Sequence, residues 1–335
     1  MRLFSLDIIR GFAVLIMVFA NAYPYLIPFD YCPKFLRLLF SSAAPIFIFL
    51  SGFSLSLAKE NGKKINSLIL RSFQILFFAI IIDIFIWTIS PFLTMDVLYL
   101  ISYSMLLTIC LISFSDIFKL SFAIAIIACI ALTHNYYNFE ITEIPISDII
   151  SGYYLNQALH YAFIDGWFPV TPWMGIFILG YITCNKKLML WKYSNYLLVL
   201  GSIFLVGFCF FYHFDFFRIN PLRDGYTEIF YPVSIPYLFY IFGLFLVITF
   251  LTSKKLSGFR VIRSMGMFSL PIYFIHTFLI KFYVPYFSQT EENFNVLISC
   301  SGILTLYLLI FLYQYFIYYI KNKIKNKYIA FILGI

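Results

Sequence analysis

The stretch Ser5-Leu6-Asp7-Ile8-Ile9-Arg10-Gly11, followed by Phe12-Ala13-Val14-Leu15-Ile16-Met17-Val18-Phe19-Ala20-Asn21, opens an apolar run that continues to about Ile27. Its length is that of a helix crossing a membrane. Asp7 and Arg10 are three residues apart, so on a helix they share one face and can pair. Ionisable groups inside a span cost roughly 2.5–3.5 kcal/mol each on insertion scales. A pair kept there either positions helices or holds a polar ligand. The run is read as an uncleaved first span rather than a signal peptide. Asp7 and Arg10 interrupt it, no small-residue cleavage site precedes Asn21, and many apolar runs follow.

The rest of the chain agrees with that reading. Of 335 residues, 62% are hydrophobic and 11% charged, and the mean hydropathy is +0.92, which excludes a soluble globular domain. The sequence predicts an all-α, polytopic transmembrane bundle forming a single domain over residues 1–335. Ten spans are expected, at about 5–27, 36–58, 67–91, 95–114, 116–134, 168–185, 194–213, 231–252, 264–286 and 294–320. Residues 147–163 are apolar enough for an amphipathic or re-entrant helix.

Basic residues set the orientation. One side gathers Arg2, Lys59, Lys63, Lys64, Arg71, Lys119, Lys186, Lys187, Lys192, Lys254, Lys255, Arg260, Arg263 and the tail from residue 321, with Lys321, Lys323, Lys325 and Lys327. The other holds most of the acids, among them Asp30, Asp96, Glu140, Glu143, Asp148, Asp165, Asp215, Asp224, Glu228, Glu291 and Glu292, and only Lys34, Arg37, Arg218, Arg223 and Lys281 as cations. Alternate loops are basic, which predicts both termini on the cytoplasmic side. It also removes a nucleic-acid reading of the +8 net charge, because the cations are short membrane-flanking clusters. Such clusters can meet anionic lipid headgroups or a phosphorylated cytosolic ligand. External loops are expected at about 135–167 and 214–230, where a substrate would meet the protein.

Cys32, Cys110, Cys129, Cys184, Cys209 and Cys300 form no C-x-x-C pair, so zinc and redox motifs are absent and no metal is expected. The four histidines, His134, His160, His213 and His276, fall in the external half. His276 follows Pro271, a residue expected to kink its span. It reads either as a hydrogen bond to a neighbouring helix or as a proton-handling residue. His134 and His213 flank spans and read as interfacial. His160 and Asp165 precede Gly166-Trp167-Phe168-Pro169-Val170-Thr171-Pro172-Trp173-Met174-Gly175, irregular backbone that either lines a cavity or forms an aromatic belt and a helix start. Asn21 can donate to an oxyanion or join two helices. Asp83 lies deep in a span with no evident cation, which points to a protonated or hydrogen-bonded carboxyl. Ser51-Gly52 reads as a packing notch.

Several of these motifs together resemble the heparan-alpha-glucosaminide N-acetyltransferase-like membrane proteins, which are related to acyltransferase family 3. The resemblance rests on residues 5–21, on Ala44-Pro45-Ile46-Phe47-Ile48-Phe49-Leu50-Ser51-Gly52-Phe53-Ser54-Leu55, on Asp96 to Leu107, on Phe168 to Gly175, and on Met265 to His276 with its Ser-Leu-x-x-Tyr-x-x-His pattern. It implies transfer of an acetyl or other acyl group from cytosolic acyl-CoA to a sugar, glycan or glycolipid acceptor on the far side. It carries the opening Asp-Arg pair, the span-one Asn and the late His onto Asp7, Arg10, Asn21 and His276. The sequence departs from the family in one place. The heparan-modifying enzymes have a catalytic histidine in the loop after the span-one Asn, and here that stretch reads Phe29-Asp30-Tyr31-Cys32-Pro33. Other relatives place His where Asn21 stands.

On this reading His276, or else His160, is the general base, with a covalent route through Cys32 as the alternative. Lys63, Lys64 and Arg71 are the expected acyl-CoA phosphate contacts. A bacterial or archaeal cytoplasmic membrane is the expected location, with membrane lipids as surroundings. Two other classes fit the same features: a lipid or glycan transporter or flippase, and a family member that has lost its chemistry.

Overall fold

The computed structural model describes residues 3–28, 31–136, 158–214, 228–230, 233–256, 258–288, 294–321 and 323–324. Arg2, Asp30, Glu140, Glu143, Asp148, Asp215, Arg218, Arg223, Asp224, Glu291, Glu292, Lys325 and Lys327 lie outside them, as do most of the loop expected at 135–167 and of the one at 214–230. The described residues form helices and no strand: α1 (Phe4–Leu26), α2 (Lys34–Glu60), α3 (Ile65–Ile81), α4 (Val97–Cys110), α5 (Asp116–Tyr136), α6 (Val170–Asn185), α7 (Lys187–Lys192), α8 (Ser194–His213), α9 (Ile235–Ser253), α10 (Arg260–Met267), α11 (Ser269–Phe282) and α12 (Val296–Lys321). Helices satisfy every backbone polar group within the segment, which hydrocarbon demands.

Six of these are long and apolar enough to cross a membrane: α1, α2, α3 with its continuation to Trp87, α8, α9 and α12. The pair α10 and α11, bent by 86°, passes as a seventh. The shorter apolar helices α4 and α6 have 14 and 16 residues, which at a rise of about 1.5 Å per residue is about 21 and 24 Å. The bend of the broken pair falls upstream of Pro271 rather than at it. Pro271 sits in the first turn of α11, where its missing amide costs little. The carbonyl that amide would have served belongs to Met267, and α10 ends at Met267.

Contacts divide the chain into two compact units. One is Phe47–Ser194 and the other is Arg2–Ile46 with Asn195–Ile335.

In the unit of residues 47–194, glycines set the helix crossings. A Cβ on Gly52 would strike the Phe177 carbonyl, and one on Gly180 would strike the Phe49 carbonyl. The Ser51-Gly52 notch is therefore a packing site between α2 and α6. Ser72 and Ser102 join α3 to α4, each hydroxyl donating to the other's carbonyl at 2.9 and 3.0 Å. At one end Asn185 accepts from Ser56 and donates to Asp116 at 3.1 Å, and Asp116 pairs with Lys119 and Lys186 at 3.1 Å each. Lys187 pairs with Glu60.

The Asp83 carboxyl, 1% exposed, is held by hydroxyls. Tyr99 donates at 2.7 Å and Thr94 at 3.1 Å. Around it α3 widens to π geometry over Ile82–Trp87, and Thr88, Phe92 and Met95 adopt positive φ. The Thr94 and Met95 carbonyls accept from the amides of Trp167 and Phe168 at 2.9 Å each. The irregular segment before α6 is thus satisfied by protein backbone, and Trp173, 0% exposed, is a core residue and not part of an aromatic belt.

In the other unit, Gly11 on α1 lies against the Ile262 carbonyl and Gly266 on α10 against the Asp7 carbonyl. Two glycines, one on each helix, bring α1 and α10 to backbone contact. Tyr307 on α12 donates to the Leu15 carbonyl at 2.6 Å, and Ser299 donates to the Leu26 carbonyl at 2.6 Å. Tyr237 on α9 donates to the Ser41 carbonyl, and Gly201 meets Gly243 where α8 crosses α9.

Candidate active site

Asn21 lies near the C-terminal end of α1, one turn before Pro24. His276 is two turns into α11 and 0% exposed. Both belong to the same unit, and the Asn21 Nδ2 is 3.1 Å from the His276 Nε2. The other ring nitrogen, Nδ1, is 3.2 Å from the Ile272 carbonyl. A carbonyl only accepts, so Nδ1 carries the ring proton of the neutral imidazole. The Nε2 lone pair then faces Asn21, whose amide donates to it. The Tyr273 ring packs edge-on against the imidazole at 4.9 Å. The result is a buried, tautomer-fixed imidazole whose basic nitrogen is met by a hydrogen-bond donor. Such a nitrogen can take a proton from an acceptor hydroxyl or amine that displaces the amide. The displaced amide can then donate to an oxyanion.

The other expected site residues fall elsewhere. Asp7, 4% exposed, pairs with Arg10, whose Nη1 is 3.8 Å from the Asp7 Oδ1. Arg10 is 11 residues and Asp7 14 residues before Asn21, about 16 and 21 Å along the helix, so the pair is not part of the Asn21–His276 site. Its surroundings are the glycine crossing of α1 and α10. His160, half-buried, is helical and leads into a wide turn over Tyr161–Asp165. It belongs to the unit of residues 47–194. The side chains of Asp165 and His134 lie outside the described residues, while His213 is an exposed residue at the end of α8.

Lys63 and Lys64 are exposed just before α3, and Lys64 caps that helix with no side-chain acceptor. Arg71, about two turns on, donates to the side chain of buried Gln74. Cys32 follows α1, half-buried, and burial pushes its thiol above the usual range. Fewer thiolates at neutral pH make it a poorer nucleophile. Among the described residues no group of three His, Cys, Asp or Glu side chains is placed to hold a metal ion.

Sequence reasoning missed what surrounds these groups. The Tyr99 and Thr94 partners of Asp83 sit across an irregular segment, and Gly266, quoted within a motif, gave no sign of its contact with Asp7. Only a search for paired glycines on separate apolar helices would have suggested the second.

A comparison with curated proteins finds no match. A family model described as heparan-alpha-glucosaminide N-acetyltransferase, catalytic, matches residues 2–197. That stretch includes Asp7, Arg10, Asn21, Lys63, Lys64, Arg71 and His160, and Asn21 ties it to His276 beyond its end. With more than half of its length matched, and with apolar helices of membrane-spanning length, the chain belongs to the heparan-alpha-glucosaminide N-acetyltransferase catalytic family of membrane acetyltransferases.

Proposed function

We propose that the protein transfers an acetyl or other acyl group from cytosolic acyl-CoA to a sugar, glycan or glycolipid acceptor on the opposite side of a bacterial or archaeal cytoplasmic membrane. The observation that carries this reading is the Asn21–His276 hydrogen bond, with the ring's other nitrogen held by Ile272. The acceptor hydroxyl or amine displaces the Asn21 amide from Nε2, and His276 takes its proton as the nucleophile attacks the thioester carbonyl. The tetrahedral oxyanion accepts from the Asn21 amide. Collapse breaks the C–S bond, and the proton held by His276 leaves with the CoA thiolate. His160 is the second choice of base.

The acyl-CoA phosphates meet Lys63 and Lys64 before the N-terminus of α3, a place suited to anions, with Arg71 nearby in sequence. Asp7 and Arg10 position α1 through its crossing with α10. The six long helices, the bent pair, α4, α5 and α6 make up ten spans, with both termini cytoplasmic and residues 1–335 acting as one membrane domain.

Purified full-length protein incubated with radiolabelled acetyl-CoA and a panel of glycan acceptors tests the reading. Label in an amino-sugar or hydroxyl acceptor is expected. Movement of glycolipid across vesicles without any need for acetyl-CoA would favour a transporter instead. Replacing Lys63, Lys64 and Arg71 together by Gln is expected to raise the acetyl-CoA requirement. An unchanged requirement would place the phosphates elsewhere.

A further inference from the structure

A basic surface lies where α9 ends, α10 begins and α12 ends. Lys254 and Lys255 are exposed directly after α9, and Arg260 is exposed at the first position of α10. From residue 231 to residue 335 the sequence has no acids other than Glu291 and Glu292. These cations therefore gain little neutralisation from their own stretch of chain.

The geometry of α10 points to what neutralises them. It is bent by 86° from α11, so with α11 along the membrane normal α10 lies in the membrane plane. At 100° per residue, Ile262, Met265 and Gly266 share one face, Arg260 lies on the opposite one and Arg263 lies at the edge between them. The first face is fixed against α1: Gly266 meets the Asp7 backbone, Gly11 meets Ile262, and Met265 is 0% exposed. At that edge the Arg263 guanidinium stacks on Phe4 of α1 at 4.5 Å, and its Nε, buried, has no hydrogen-bond partner among the described residues. Phe259 and Val261, each 54% exposed, flank the cations. Gln314 on α12 donates to the Val261 carbonyl at 3.1 Å, and the Lys321 ammonium sits 5.0 Å from the Phe268 ring. The basic end of α12 is thereby held beside the same joint.

An in-plane amphipathic helix with cations on one face and apolar side chains at its edge is the arrangement of an interfacial membrane helix. Each Lys or Arg at such a surface is attracted by anionic headgroups. We propose that α10, with Lys254, Lys255 and Lys321, forms a docking surface for the phosphate headgroups of anionic phospholipids, with Phe259 and Val261 lying among the adjoining acyl chains. The apolar flank distinguishes this occupant from a soluble phosphate. The inference is independent of the proposed reaction, whose CoA contacts lie in the other unit.

The test uses the full-length protein in nanodiscs of phosphatidylcholine and phosphatidylglycerol at roughly four to one, with protein-retained lipid counted by native mass spectrometry. Wild type is expected to retain phosphatidylglycerol and phosphatidylcholine in a ratio about tenfold above that of the bilayer, and Arg260→Gln/Arg263→Gln to retain them in the bilayer's own ratio. A control removing two exposed cations elsewhere, Lys59→Gln/Lys192→Gln, is expected to keep the enrichment. If the double variant unfolds, Arg260→Gln alone, at an exposed position, is expected to lose about threefold. Undiminished enrichment in the α10 variants overturns the proposal, and so does an equal loss in the control. Displacement of the lipid by CoA or inorganic phosphate would assign the cations to a soluble ligand and overturn it as well.

Discussion

Asn21 and His276 are 255 residues apart in sequence and joined by a 3.1 Å hydrogen bond between Nδ2 and Nε2. The Ile272 carbonyl occupies the other ring nitrogen, so the pair has a fixed polarity: amide donor, imidazole acceptor. Replacing His276 by Ala is expected to lower turnover about 10²–10⁴-fold, the usual cost of losing a general base, with acyl-CoA binding retained. Asn21→Asp keeps the size but turns the donor into an acceptor, so Nε2 keeps the bond only by carrying a proton. That consumes the lone pair a base needs, and a comparable loss is expected. Full turnover in both variants, measured with expression matched, would remove the pair from the mechanism. His160→Ala then tests the second choice.

The crossing of α1 and α10 depends on Gly11 and Gly266, whose missing Cβ atoms leave room for the Ile262 and Asp7 carbonyls. The obstacles are backbone, which cannot swing aside as a side chain can. Gly11→Ala and Gly266→Ala are each expected to cost about 1–3 kcal/mol, the range for overpacking a close contact, and more if the helices must separate. Gly207→Ala, where nothing lies within 4 Å, is expected to be neutral or slightly stabilising, by up to about 1 kcal/mol from helix propensity. Thermal unfolding in one detergent ranks the three. Equal melting temperatures would contradict the close crossing.

Asp83 is a buried carboxyl whose oxygens accept hydrogen bonds from the Tyr99 and Thr94 hydroxyls. Tyr99→Phe removes the 2.7 Å donor and is expected to destabilise by about 1–3 kcal/mol, the cost of leaving a buried polar group without its partner. Asp83→Asn retains an acceptor and is expected to be the milder of two changes at that position, Asp83→Ala the harsher. A double-mutant cycle between Asp83→Ala and Tyr99→Phe is expected to show a coupling of about 1–3 kcal/mol. Additive losses would mean that the bond contributes nothing beyond packing.

These cases show which parts of the molecule local sequence reveals. The first span, the shared face of Asp7 and Arg10 and the notch at Ser51-Gly52 were all legible, because helical spacing and apolar length act within one segment. The bend before α11 was legible in part: Pro271 signalled it, but the break falls at Met267, the residue whose carbonyl the proline leaves unserved. Span lengths were less so. The apolar runs at 95–114 and 168–185 extend beyond the helices α4 and α6 because Met95 and Phe168 pair as irregular backbone before them and residues 111–114 turn after α4. The joining of Asn21 to His276, and of Asp83 to Tyr99, depends on tertiary packing that no periodicity encodes.

Cys32 bears on whether transfer passes through an acyl-enzyme. Burial raises its thiol above the ordinary cysteine value, so at neutral pH the protonated, poorly nucleophilic form dominates. The sign is definite: a raised pKa means that the thiolate fraction is still climbing about tenfold per pH unit where an unperturbed cysteine has begun to level off. In a variant retaining Cys32 with the other five cysteines changed to Ser, maleimide or iodoacetamide labelling is expected to be slower than for a free thiol at pH 7.5. Its rate is expected to keep rising through pH 9 without a plateau. Cys32→Ser is expected to leave acetyl transfer unchanged, since proton removal by His276 needs no thiolate. A plateau below pH 8, together with loss of transfer in Cys32→Ser and trapping of labelled acetyl on the wild-type protein, would replace direct transfer with a covalent route.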